Sequence, residues 1–497
     1  MARPSAVPRN FATLQSLQVA RGTTRRDSLY AALVALINDG VFSSGDALPS
    51  TRQLAEQLSL SRNTVISAYR RLVLDGLASS EERSVFRVSE MVRPRHLPKA
   101  GLPGTLPPDP DKGKTSLPGS VSSLPRIHKD KNWRIAEYPF IYGQCDPATF
   151  PTANWRSVLR DLNSLNGISV WTREVYDEDD PELIDALRRV ILPQQGLWAQ
   201  EDEILITGGA QNALFMITRL LASGGQKAVV EDPGYTDMTS ILRMNGAEVT
   251  FVPVDQEGLI TDAIPAGSDL IYCTPERQFP TSVRMSLRRR EALIERATRE
   301  GFYVIEDGYD SELPFQGNIL PCLRAMAPGE RMIHVGSFSK TLAPGLRAGY
   351  VVASREIIAE LRLLRRLIMR NPSTYIQAAI GRFIRSGYYN AHLQKLRSTY
   401  HGRYKALTTT LRHLLPDAGF MPVRGGTSVW LTLPEGIRAA PLYENLLARG
   451  VFVENGDAFF VAPPERSCLR LGYSSIRAQL IPRGIEIIAE EVSALRK

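Results

Sequence analysis

Apolar positions in the first ninety residues recur at helical spacing. Leu29, Leu33, Leu36 and Ile37 share one face of a segment from about 26 to 38, which Gly40 ends. Val41–Pro49 reads as an extended lead-in. Ser50 then caps a second helix, with Gln53 three residues on as the reciprocal cap and Leu54 and Leu58 facing inward. After the turn at Ser59-Leu60, Ser61 caps a third helix lined on one face by Val65, Ala68, Tyr69 and Leu72. Arg62, Asn63, Thr64, Ser67 and Arg70 crowd its start and its other faces, and Ala78–Val88 follows as a two-stranded wing. A polar, arginine-bearing helix in that position suits base edges and phosphates in a major groove.

The pattern then breaks. Residues 91–130 are rich in Pro, Gly, Ser and Lys, carry no hydrophobic period, and read as a flexible, semi-extended linker. Beyond it, an apolar strand ends in a carboxylate, where a ligand site on an open α/β sheet should fall. The predicted layout is a DNA-reading domain at 25–90, a linker at 91–130 and a large α/β domain at 131–497.

Charge supports that division. The chain has a formal net charge of +8, and residues 1–95 hold thirteen arginines, no lysine and eight acidic residues, a net +5. The first domain therefore suits a polyanion and the remainder does not. A hydrophobic content of 43% with 23% charged residues is that of a globular protein, and no apolar run is long enough to span a bilayer. The N-terminal residues carry no apolar leader, and Cys145, Cys273, Cys322 and Cys468 form no Cys-x-x-Cys pair. These features predict a cytoplasmic protein with reduced thiols and no metal site.

The chemistry concentrates at strand ends of the large domain. In Ser337-Phe338-Ser339-Lys340, followed by Arg347, a lysine sits in a turn with hydroxyls and a guanidinium. Such a lysine can form a Schiff base with an aldehyde while its neighbours hold that aldehyde's phosphate, the reading for pyridoxal 5'-phosphate. The strand Tyr303–Asp307 ends in a carboxylate placed to pair with the pyridine nitrogen, and Tyr309 would reach the ring oxygen. Thr207-Gly208-Gly209-Ala210-Gln211 reads as strand, glycine turn and helix start, a phosphate cradle of backbone N–H groups. Tyr235 follows another strand end and presents a ring for stacking on the cofactor.

Taken together, these motifs make residues from about 135 to 497 resemble the fold-type-I aminotransferases. The resemblance implies Lys340 as the cofactor-bearing lysine, Asp307 as the pyridinium partner and Tyr309 on the ring oxygen. It implies Tyr235 in the stacking position and Ala210, Gln211, Ser337, Ser339 and Arg347 around the phosphate. In Cys468-Leu469-Arg470-Leu471-Gly472, Arg470 matches the arginine that grips a substrate carboxylate. Tyr176 lies where a tyrosine often reaches the other subunit's phosphate. The loop Thr274–Ser282 resembles one that usually reads Thr-Pro-Ser-His-Gln-Phe-Pro-Thr-Gly, with Arg277 for the histidine and Ser282 for the glycine. Asp237, two residues past Tyr235, would suit a second amino group on a ligand, and Arg277, if it faces the pocket, would suit an acid.

The wording Leu48–Ala55 and Ser61–Leu72 resembles the winged-helix domain of GntR-type regulators. That resemblance implies Arg52, Ser61, Arg62, Asn63, Thr64, Ser67 and Arg70 as DNA contacts. Ser59 replaces the glycine usual in the turn, at small cost if its backbone stays at negative φ. The wing tip carries Glu81 and Glu82, which disfavours a minor-groove contact. A GntR-type reader joined through a long linker to an aminotransferase-like domain is the layout of MocR-type regulators. It implies a multidomain fold, a winged helix-turn-helix plus an α/β PLP-dependent transferase domain of fold type I. It further implies a head-to-tail, domain-swapped homodimer that binds duplex DNA. Its effector would be a small amino compound that displaces Lys340 by external aldimine formation. The alternative is a working aminotransferase with an autoregulatory DNA-binding domain.

Overall fold

In a computed structural model of the chain, residues 24–81, 85–90, 121–124, 133, 135–141, 143, 145–315, 320–329 and 331–496 are described. Most of the expected linker and wing-tip residues 82–84 lie outside them. The chain forms two compact units that divide between Pro118 and Gly119.

The first unit is three helices and a hairpin: α1 (Arg25–Asn38), α2 (Thr51–Gln57), α3 (Arg62–Leu74), β1 (Ala78–Glu81) and β2 (Val85–Val88). Side chains of Thr24, Ser50 and Ser61 cap the three helices by accepting from the backbone N–H groups of Asp27, Gln53 and Thr64. Leu29, Leu33, Ile37, Leu54, Val65, Ala68, Tyr69 and Leu72 form one buried core, each large side chain contributing about 1.5–3 kcal/mol. Tyr69 ties that core to the wing. Its ring meets Phe86 edge-on at 5.0 Å and its hydroxyl donates to Pro49 O at 2.9 Å.

Two local expectations are corrected. Gln53 does not cap Ser50 reciprocally; its Oε1 instead accepts from the Ser50 hydroxyl at 3.0 Å. Ser59 has φ +51°, so the condition for a cheap replacement of glycine is not met. The short Leu58–Leu60 turn needs a left-handed residue, and a side chain there costs about 1 kcal/mol.

The second unit is built on an eight-stranded mixed sheet. Its strands in chain order are β3 (Ile204–Thr207), β4 (Lys227–Asp232), β5 (Glu248–Asp255), β6 (Gly258–Leu259), β7 (Leu270–Cys273), β8 (Tyr303–Asp307), β9 (Met332–Ser337) and β10 (Gly349–Val352). Their spatial order is β3-β10-β9-β8-β7-β4-β5-β6. The run β9 to β5 is parallel, while β10 is antiparallel to both neighbours. Strands β3, β7 and β9 are buried almost throughout, which explains their unbroken apolar runs. Helices α4 (Ala210–Leu221), α5 (Thr236–Met244), α6 (Leu287–Glu300) and α7 (Arg355–Met369) accompany it.

A smaller antiparallel sheet follows, of order β11 (Gly419–Phe420), β12 (Ser428–Thr432), β14 (Cys468–Gly472) and β13 (Glu454–Asn455). The long helix α8 (Tyr388–Leu414) precedes it. Loops at the carboxyl ends of the parallel strands leave a crevice, where an open α/β sheet places its ligand.

Candidate functional site

A cavity of about 210 Å³ opens at those strand ends. Gln211, Tyr235, Asp307, Ser339, Lys340 and Arg347 line it together with Ala210, Tyr309 and Ser337. Nine residues singled out in the sequence, spread over 138 positions from Ala210 to Arg347, thus converge on one space.

At one end stands Asp307, the last residue of β8, paired in register with Val335 of β9. Its carboxylate is buried. Oδ2 accepts from the Tyr272 hydroxyl at 3.0 Å, and Oδ1 has no hydrogen-bond partner among the described residues. Burial pushes this carboxyl up to about 6, and the Tyr272 hydrogen bond opposes the shift. An orphaned buried oxygen calls for a donor, and a protonated ring nitrogen is one.

At the other end, Gly209 has φ +100° and opens α4 without a side-chain cap. The first N–H groups of that helix are therefore available to an anion. A Cβ on Gly209 would lie 3.1 Å from a terminal nitrogen of Arg347, so glycine is what admits the guanidinium to the helix start. Arg347 itself is in the left-handed region, φ +50°. The Ser337 hydroxyl donates to Ser339 Oγ at 3.0 Å and accepts from Ser339 N at 3.2 Å, which fixes the turn before Lys340. A phosphate fits this end and a pyridine ring fits between the two.

Lys340 is braced from below through its neighbour. Thr341 is buried, its Oγ1 lies 2.9 Å from the Tyr389 hydroxyl oxygen, and its carbonyl meets His392 Nε2 at 2.8 Å. The Tyr389 proton goes to Glu312, whose carboxyl burial pushes up to about 7. Tyr235 donates to Gln211 Oε1 at 2.6 Å, and its ring meets Phe279 edge-on at 5.2 Å. Burial pushes the Tyr309 phenol up.

Four expected site residues lie outside this cavity. Arg470 is fully buried on β14, 4.2 Å over the ring of Phe279, and its Nε donates to Ser428 Oγ at 3.2 Å. Because Phe279 lines the cavity, Arg470 stands directly behind its wall. Asp237 lies in the first turn of α5 and its Oδ2 is 3.4 Å from the Tyr235 hydroxyl. Arg277 is buried with its Nε on Asp310 O at 3.2 Å, and it lines a different cavity. Tyr176 is 37% exposed, bonded to Glu174, with Arg366 and Arg370 over its ring.

Sequence reasoning missed Tyr272 and Phe279. Tyr272 sits inside an apolar strand and gains its role only from the pairing of β7 with β8. The fold also brings one ligand atom each of Glu306, Cys322 and His334 within 4.8 Å of one another. Glu306 there already accepts from Leu323 N at 3.0 Å and pairs with His334 Nδ1 at 3.3 Å.

In the first unit, Arg52, Ser61, Arg62, Asn63, Ser67 and Arg70 are exposed and Thr64 is half-buried. Ser61 and Thr64 share a hydroxyl contact of 2.8 Å in the cap. The exposed side of α3 thus carries Arg62, Asn63, Ser67 and Arg70, with Arg71 exposed beside them.

Comparison with known proteins agrees with both halves. Residues 25–88 match the bacterial regulatory proteins of the gntR family, and residues 151–488 match aminotransferase class I and II. The chain is 36% identical to the HTH-type transcriptional regulator TauR of Rhodobacter capsulatus, over 93% of this chain and 96% of that one. The chain belongs to the MocR-type transcriptional regulators. This MocR-type chain is also 28% identical to the probable rhizopine catabolism regulatory protein MocR of Rhizobium meliloti, over 94% and 93% of the two chains. Its second unit has the fold of a kynurenine aminotransferase from Pyrococcus horikoshii. The TM-score is 0.67 at 26% identity, covering 72% of this chain and 91% of that one. Among the described residues, no helix of this MocR-type protein is long and apolar enough to cross a membrane.

Proposed function

We propose that the protein is a cytoplasmic, PLP-dependent regulator whose large unit senses an amino compound at Lys340 and whose winged helix reads duplex DNA. One observation carries this reading: Lys340, an orphaned Asp307 oxygen and an uncapped helix start beside Arg347 share one cavity. Bound PLP supplies an aldehyde that condenses reversibly with a primary amine, either that of Lys340 or that of an effector.

The chain's own residues divide the remaining work. Asp307, held in place by Tyr272, would accept a hydrogen bond through Oδ1 from the protonated ring nitrogen. The N–H groups of Ala210 and Gln211, the hydroxyls of Ser337 and Ser339 and the guanidinium of Arg347 take the phosphate. Tyr235 and Phe279 shield the ring from water, and Tyr309 donates to its oxygen. Arg470, poised behind Phe279, receives an effector carboxylate, for which a guanidinium is better shaped than an ammonium. Asp237, through Tyr235, favours an effector with a second amino group. On DNA, Arg62, Asn63, Ser67 and Arg70 present to base edges and phosphates, with Arg52 on the adjoining helix.

The active assembly is a head-to-tail homodimer. Exposed Leu363, Leu367 and Ile368 on α7, together with exposed Tyr176, supply an apolar surface for a second copy. Residues 25–90, 91–130 and 131–497 act as reader, linker and sensor. An effector shifts DNA binding only as far as its affinities for the two states of the protein differ.

Gel-shift assays on DNA flanking the gene, with and without PLP and a panel of amines, test the proposal. An amine that changes operator affinity only when PLP is present supports it. Sustained amino transfer to pyruvate or 2-oxoglutarate, with no amine effect on DNA binding, replaces it with the aminotransferase reading.

A further inference from the structure

A second cavity, of about 350 Å³, lies apart from that of Lys340 and shares no lining residue with it. Glu276, Arg277, Ser282, Arg284 and Arg424 are among its walls. Three of these, Glu276, Arg277 and Ser282, are the positions at which the 274–282 loop departs from its usual wording. The substitutions that set this loop apart are thus collected around one space.

The charges there do not balance. Glu276 Oε2 already accepts from Arg290 at 2.9 Å and from Arg284 at 3.2 Å. Arg277 is only 5% exposed, and its Nε donates to a carbonyl, that of Asp310, at 3.2 Å. Among the described residues no carboxylate forms an ion pair with Arg277. Asp310 is the acid whose charge it feels; Oδ2 of that carboxylate accepts from the Thr427 hydroxyl at 3.1 Å, and its buried Oδ1 has no hydrogen-bond partner among the described residues. A buried guanidinium whose nearest acid makes no ion pair with it is costly. The backbone has nonetheless been cleared for it. A Cβ on Gly425 would fall within van der Waals overlap of an Arg277 terminal nitrogen, and one on Gly426 would lie 2.9 Å from its Cδ. Arg424, exposed at the rim, adds a further positive charge.

We propose that this cavity is an accessory site for a small oxyanion, a phosphate, sulfate or carboxylate, bound chiefly by Arg277 with Arg284 and Arg424 at its sides. The site reaches the cofactor cavity through the chain. Arg277 holds the carbonyl of Asp310, and the preceding residue, Tyr309, lines the space beside Lys340. An anion that draws Arg277 outward pulls on that carbonyl, which gives the occupant a route to influence effector binding. The proposal does not depend on PLP being bound.

Calorimetric titration of the full-length protein with inorganic phosphate tests it, in an Arg347→Gln background so that the cradle at Gly209 contributes nothing. Saturable binding is expected in that background, and about tenfold weaker binding once Arg277→Gln is added. Phosphate bound at the first unit's arginines is common to both proteins and cancels. Where Arg277→Gln lowers solubility or changes the circular dichroism, Arg424→Gln at the rim carries the test, with about threefold weakening expected. Sulfate and acetate titrated alongside assign the preference to a tetrahedral or a planar anion. Absence of saturable heat, or isotherms indifferent to both substitutions, overturns the proposal.

Discussion

The Tyr272 hydroxyl donates to Asp307 Oδ2 at 3.0 Å, leaving Oδ1 as the buried oxygen that needs a donor. The tyrosine both orients the carboxylate and holds its proton affinity down. In Tyr272→Phe the Asp307 carboxyl rises further and turns more freely. PLP affinity, followed by absorbance titration, is expected to fall roughly ten- to a hundredfold, the range for losing a hydrogen bond to a charged group. The fold should be retained, since the phenyl ring still fills its place.

Asp307 also sets a pH dependence in the protein freed of cofactor. Its carboxyl, pushed up to about 6 by burial, keeps its proton in the folded state at pH values where the unfolded chain has lost it. Stability therefore falls as pH rises from about 4 to about 6, and the loss is complete above that window. Asp307→Asn removes this contribution. Its melting temperature relative to wild type should climb across pH 4–6 and then stay level, as read by differential scanning calorimetry.

Much of this site is legible in the sequence because its chemistry is local. Lys340, Asp307, Tyr235 and Gly208-Gly209 each sit at a strand end, where an apolar run stops and a reactive or flexible residue follows. What stays hidden is what depends on pairing across the chain. Tyr272 looks like any residue of an apolar strand until β7 is set beside β8. The brace on Thr341 comes from Tyr389 and His392, about fifty positions away. Arg277 suits an acid in sequence only if it faces the pocket, and the fold sets it against a different cavity. Ser59 fails for the opposite reason: its surroundings are local, but the sign of φ in a three-residue turn is not written in side-chain polarity.

That turn offers a stability test. With φ at +51°, Ser59 carries strain that glycine would not. Ser59→Gly should stabilise the first unit by up to about 1 kcal/mol, after allowance for the greater freedom of glycine in the unfolded chain. Slower amide exchange in α2 and α3 of the full-length protein would register the gain, and unchanged exchange would refute the strain argument.

On DNA, Arg62 begins the exposed face of α3. Replacing it with alanine should cost roughly 1–3 kcal/mol of specific operator affinity, with a smaller effect on non-specific DNA. Fluorescence anisotropy at fixed salt distinguishes the two. Equal operator affinity in Arg62→Ala and wild type would show that another surface reads the DNA.

The reaction of Lys340 with an aldehyde cofactor is the claim on which the sensor reading turns, and borohydride reduction tests it most directly. The full-length protein, saturated with PLP, reduced and digested, should yield one pyridoxyl-modified peptide with the label on Lys340, and Lys340→Ala should yield none while still binding DNA. A protein that takes up no label, or takes it equally at other lysines, would contradict the account.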